Sequence, residues 1–146
     1  MANILNQRTI GIDLALAAAT AALEAARSRG YPRTGVCVTN RGGQVMVLLR
    51  SDEAGPHLLD SARRKAYTAA SMNARTSKAS KAIDERSGEP DPHLIFLDEV
   101  LLVGGGVPIL ASGELIGAIG VAGSPGSIHD EECADAGIAA IADRLK

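Results

Sequence analysis

The chain has 146 residues, 46% of them hydrophobic, a formal charge of −2 and two cysteines. That length suits one domain with a real interior, and two cysteines 96 positions apart exclude a disulfide scaffold or a cysteine metal site. Acids and bases are scattered along the chain, which excludes a basic field for nucleic acid and a basic amphipathic helix for a membrane surface.

With no Trp, one Phe and two Tyr, the core must be built from Ala, Leu, Ile and Val, so helices and sheet can sit close together. Thr9 is placed to cap a first helix running to about Arg29, where Gly30 and Pro32 stop it. Its apolar residues form two adjoining rows, one through Ile12, Leu16 and Leu23 and the other through Ile10, Leu14 and Ala21. A helix apolar nearly all round is buried on more than one side. The sheet is expected on one face and another helix, from this chain or a second subunit, on the other. The longest uncharged part of it, Leu14 to Leu23, falls short of the ~20 residues that span a bilayer. No signal-peptide pattern precedes it, so the expected location is cytoplasmic.

Residues 35–39 and 44–50 flank Asn40-Arg-Gly-Gly43, a hairpin signal. Pro56 suits the first turn of a second helix, in which Leu58, Leu59, Ala62, Ala66, Ala69 and Ala70 recur at helical spacing. Arg63, Arg64 and Tyr67 fall on its other faces. A shorter helix is expected around Lys78 to Glu85, and Ser87 to Pro92 is a loop by composition. Three more strands are expected at residues 100–103, 107–111 and 114–121, the last two joined by a tight Ser112-Gly113 hairpin. Ser127-Ile-His-Asp130 opens the last helix in the manner of a capping box, and Cys133, Ala134, Gly137, Ile138, Ile141 and Leu145 form its buried face. Hairpin-linked strands with helices between the groups point to an α+β domain over residues 1–146, an antiparallel sheet covered by helices.

The segment Gly104 to Gly123 is the most informative. Gly117, Gly120 and Gly123 strip side chains from a strand, which implies close approach by another backbone or by a ligand. Gly104, Gly105 and Gly106 either turn their N–H groups toward an anion or form a turn that needs positive φ. No Gly-Lys-Ser/Thr follows, so a nucleotide P-loop is excluded. Arg50 and Asp52 end the second strand, and Lys65 lies about two turns into the next helix. A planar guanidinium and a point-charge ammonium can together hold a carboxylate; the alternative is an Arg50–Asp52 pair and a solvated Lys65.

Asp130, Glu131 and Glu132 stand in the first turn of the last helix, where acids stabilise it by ~0.3–1 kcal/mol each. Adjacent helical positions point in different directions, so no metal site is expected. His93, His129 and Glu131 are the candidates for a general acid or base, although nothing in the sequence orients them. No Ser/His/Asp or Cys/His arrangement can be nominated. Cys37 in a strand and Cys133 on a buried helix face read as small buried hydrophobes.

Five pieces of the chain have a further meaning: Leu49-Arg50-Ser51-Asp52, Lys65-Ala-Tyr-Thr-Ala69, Gly104-Gly-Gly-Val-Pro-Ile109, Gly113-Glu-Leu-Ile-Gly-Ala-Ile-Gly-Val-Ala-Gly123 and Asp130-Glu-Glu-Cys-Ala-Asp-Ala-Gly137. Together they resemble the GlcG/HbpS-like family, also seen as the C-terminal domain of PduO-type proteins, over nearly the whole chain. The resemblance implies a five-stranded antiparallel, profilin-like sheet with helices on both faces, assembled into a homo-oligomer. It also implies a link to haem: some members bind haem, some are linked to haem degradation or iron, and others belong to small-molecule catabolism. Haem needs an axial donor and an apolar slot. Relatives of the PduO type imply a His near the first helix, and this chain has none before His57. His57, Tyr67, Met72 and His93 are the substitutes.

The expectation is an oligomeric small-molecule-binding protein with haem as the candidate cofactor and a carboxylate-bearing ligand. That ligand would lie against Gly104, Gly105 and Gly106 and the second helix, with Arg50, Lys65 and His57 around it. Two alternatives stay open: an enzyme acting on a small carboxylated catabolic intermediate by proton transfer or hydrolysis in the same pocket, and a structural assembly subunit without ligand.

Overall fold

In a computed structural model, residues 3–85 and 92–146 are described. Most of the loop expected at 87–92 lies outside them. The elements run α1 (Ile12–Ser28), β1 (Gly35–Asn40), β2 (Val45–Arg50), α2 (His57–Met72), α3 (Thr76–Glu85), α4 (Pro92–Ile95), β3 (Gly106–Ala111), β4 (Glu114–Ala122) and α5 (Ser127–Ile141), with a final 3-10 turn, Ala142–Arg144. The strands form one antiparallel sheet in the order β2-β1-β4-β3.

The sheet separates two layers of helix. On one face α1 and α5 cover Val36, Val38, Val107, Ile109, Ile119 and Val121, the main core. On the other, α2 lays Ala62 and Ala66 over Cys37 and Ala122, and Ala69 and Ala70 over Ala118. Alanine faces allow this closeness, and glycines complete it. A Cβ on Gly120 would collide with the Ala62 carbonyl and stand 2.6 Å from the Ala66 nitrogen, and one on Gly137 of α5 would stand 2.6 Å from the Ala18 carbonyl of α1. What approaches the bare stretch of β4 is therefore backbone. Among the described residues no helix is long and apolar enough to cross a membrane.

Among the described residues the sheet has four strands, and residues 100–103, expected as a fifth, form none. That segment runs alongside α2 and spends its backbone groups there: Leu101 N–H donates to Thr68 Oγ1 at 2.9 Å, and Val100 O accepts from Arg64 Nη2 at 3.0 Å. Four apolar residues in a row do not distinguish a strand from a buried connector.

Two expected caps also differ. Gly11, not Thr9, stands at the start of α1, because the Thr9 hydroxyl donates to Ile116 O and accepts from Arg41 N–H, tying the N-terminal segment to β4 and the hairpin turn. Gly126 precedes α5 without a side-chain cap, and Asp130 turns inward instead of closing a capping box. On α1, α5 of the same chain packs at Ala18 and Ala22, whereas Ile12 and Leu16 of the expected buried row are 52% and 48% exposed, because the buried face is the alanine one that admits close packing.

Candidate functional site

The turn at Gly104, Gly105 and Gly106 is a seal over a buried ion pair. Lys65 and Asp130 are each 4% exposed. Lys65 Nζ donates to Asp130 Oδ2 and to Val121 O, both at 3.0 Å, while Asp130 Oδ1 accepts the Ser124 N–H at 3.0 Å. Gly105, at φ +128°, passes so close that a Cβ would stand 2.9 Å from Lys65 Nζ. Gly106 N–H is donated to the buried Thr76 Oγ1 at 2.9 Å, and Gly105 O accepts from Val121 N–H at 3.0 Å. Of the turn's three N–H groups that of Gly106 is committed to Thr76, and Lys65 is buried against Asp130 and Val121, neither solvated nor offered to a ligand. An ammonium buried this deeply requires its carboxylate, so the pair ties α2 to the start of α5.

The other expected site residues do not converge on that turn. Arg50 is exposed on the edge strand β2, whereas Lys65 lies over Gly106 of the opposite edge strand β3. His57 is exposed at the first turn of α2, and His93 is exposed on α4. His129 rests against the Tyr31 ring, centroids 5.8 Å apart, with Nδ1 3.6 Å from Glu132 Oε2, too far for a hydrogen bond. Glu131 pairs with Arg75 at 2.9 Å, and the same guanidinium grips Asp135 at 2.8 and 3.0 Å. Asp135 and then Glu131 hold Arg75 more firmly protonated than a free guanidinium. Burial pushes the Cys37 thiol up to about 12 and raises that of Cys133, so neither is a nucleophile at neutral pH. No cluster of three His, Cys, Asp or Glu suited to a metal occurs among the described residues.

An open site lies instead at the β1–β2 turn. Asn40 builds this turn: its Oδ1 accepts the N–H of Gly42 and of Gln44, both at 3.0 Å, and Gly43 adopts φ +80°. Two hollows flank it. One, of about 340 Å³, is lined by Gln7, Thr9, Asn40, Arg41 and Gly42. The other, of about 270 Å³, is lined by Arg41, Gly42, Gly43, Tyr67, Ala70, Ser71 and Leu115. Arg41 stands between them, its Nη1 donating to Leu115 O at 2.5 Å and lying 3.8 Å from Glu114 Oε1. Glu114 is held below the usual carboxylate range, chiefly by hydrogen bonds from the Arg8 side chain and backbone. The Tyr67 ring leans on the turn so closely that a Cβ on Gly43 would stand 3.0 Å from it, and its hydroxyl has no hydrogen-bond partner among the described residues. Sequence reasoning marked residues 40–43 as a turn and Tyr67 as a possible donor. Only the packing of α2 on the sheet brings them together.

Comparison with known proteins agrees with this fold. The model of the family described as "Haem degrading protein HbpS-like" matches residues 10–139. A double mutant of HbpS from Streptomyces reticuli is 40% identical, with a TM-score of 0.84 over 93% of this chain and 89% of that one. The ORFY protein of Klebsiella pneumoniae is 25% identical with a TM-score of 0.88 over 97% of each chain. PduOC, solved as a complex with haem, is 25% identical with a TM-score of 0.81 over 91% of this chain and 95% of that one. An uncharacterized 15.0 kDa protein from the dhaT-dhaS intergenic region of Citrobacter freundii is 30% identical over 86 residues, 59% of this chain and 61% of that relative's length. The chain belongs to the HbpS-like family.

Proposed function

We propose that this protein binds haem or a closely related tetrapyrrole at its surface, on the turn that carries Arg41, as a homo-oligomer. One observation carries the reading. Of the four candidate axial donors, His57, Tyr67, Met72 and His93, only Tyr67 lines either hollow, and it does so beside a guanidinium. Phenolate is an established axial donor to haem iron. Arg41 keeps N–H groups beyond the one given to Leu115, and these suit a propionate. The rings and methyls of Tyr67, Ala70 and Leu115 supply an apolar wall, shallow enough to leave much of a macrocycle outside.

When bound, haem would supply a redox-active iron; Tyr67 would offer the axial oxygen, and Arg41 would pair a propionate and so orient the plate. A second copy is the natural cover for the outer face. Val45 and Leu48 on the edge strand beside the turn are 45% and 39% exposed, an apolar pair that an oligomer would bury. The family and the haem complex of PduOC support the same class of ligand.

Titration of haem followed by visible spectroscopy tests the proposal, with light scattering on the same samples for the assembly. A saturable Soret shift at micromolar protein is expected, lost in Tyr67→Phe and weakened in Arg41→Gln. No shift, or an unchanged spectrum in Tyr67→Phe, removes this site.

A further inference from the structure

The geometry points to a second, separate binding site, for a short-chain aliphatic monocarboxylate, at the corner between α2 and α3. The chain leaves α2 through Asn73 in the left-handed conformation, φ 48° and ψ 46°, and turns into α3. The corner faces the edge strand β3 across a cavity of about 380 Å³, lined by Asn73, Ala74, Arg75, Lys78, Ala79 and Pro108. Volumes of roughly 300–1,000 Å³ with mostly apolar walls and a few polar groups are the usual dimensions of small-molecule sites. Here the apolar walls are the methyls of Ala74 and Ala79 and the Pro108 ring. Proline has no N–H, so its stretch of the edge offers a ligand hydrocarbon contact and no donor.

The charges at the rim decide the ligand class. Arg75 is committed to Glu131 and Asp135. Lys78 is exposed and has no ion-pair partner among the described residues. Among the described residues the cavity therefore offers one uncommitted charge, positive, beside a small apolar floor and Asn73. That suits one carboxylate on a short alkyl chain. The Arg75 cluster sets two carboxylates against one guanidinium, so it attracts no second carboxylate and a diacid is disfavoured. The cavity shares no lining residue with the hollows flanking Arg41.

The test is an amide NMR titration of the full chain with butyrate, butyramide and succinate. Butyrate is expected to shift the Ala74, Lys78 and Ala79 amides saturably, with butyramide and succinate weaker by about fivefold or more. Lys78→Gln, a surface change, should weaken butyrate by a similar factor while the rest of the spectrum and any haem response stay intact. Ala79→Leu, which fills the cavity, should abolish it. Equal responses to butyrate and butyramide, a site unaffected by Lys78→Gln, or shifts mapping elsewhere would overturn the assignment. None of these outcomes depends on whether haem binds at Tyr67.

Discussion

The glycines at 104–106 and those at 42–43 look alike on paper and do opposite things. The first group closes over the Lys65–Asp130 pair, the space of its missing side chains taken at Gly105 and Gly106 by the backbone of β4 and α2 and by the lysine itself, and at Gly104 by Ser77 and Ser127. The second group lies at the hairpin turn, where Gly43 makes room for the Tyr67 ring, a Cβ on Gly42 would meet only Asn40 Oδ1, and hollows remain on either side of Arg41. A glycine run therefore marks close approach without saying what approaches. Where the neighbour is an Ala-rich helix, the space is filled and the role is packing; where the neighbours are Tyr67 and Arg41, space and chemistry remain.

Substitutions can break this contrast, and the largest effect is expected at the sealed corner. Lys65→Ala leaves Asp130 buried without its cation and should cost ~3–5 kcal/mol, read from urea unfolding. A loss below 1 kcal/mol would mean that the corner is open to water. Next is the glycine comparison itself. Gly120→Ala forces a methyl into the Ala62 carbonyl and should cost ~1–3 kcal/mol or more. Gly42→Ala, whose new methyl would meet only Asn40 Oδ1 at an ordinary 3.5 Å, should change stability by less than ~0.5 kcal/mol. Equal losses at the two positions would remove the distinction.

The smallest effect concerns the pH dependence of the open turn. The folded-state pKa of Glu114 is depressed from 4.5, mainly by Arg8, so its contribution is complete above that value and is lost as pH falls through the folded pKa. Glu114→Gln should flatten the acid limb of a stability-against-pH curve slightly, by little because the pair is exposed to solvent screening. A steepened limb would reverse the sign assigned to this interaction.

Local chemistry was readable wherever the signal sits within one element. Asn40-Arg-Gly-Gly43 specifies its turn through hydrogen bonds that span four residues, and the alanine and leucine spacing of α1, α2 and α5 is a property of each helix alone. Residues 100–103 misled for the converse reason: their apolar run suits a strand, and whether it becomes one depends on whether a neighbouring strand or a helix side chain reaches its backbone first. Arg64 and Thr68 do. The candidate site divides in the same way. Tyr67 was legible as a donor type, whereas its pairing with the hairpin turn was not.

By itself the amino-acid order determined an α+β domain, an antiparallel sheet, Ala- and Gly-lined interfaces that demand close packing, and a family likeness carried by that glycine pattern. Tertiary structure alone decided the strand number, the inward turn of Asp130 toward a lysine 65 positions away, and which glycine turn stays open. The reason is one of range. Helix spacing and turn geometry are set by neighbours along the chain, but the partner of a buried charge and the filling of a bare backbone are set by whatever the fold brings across the sheet.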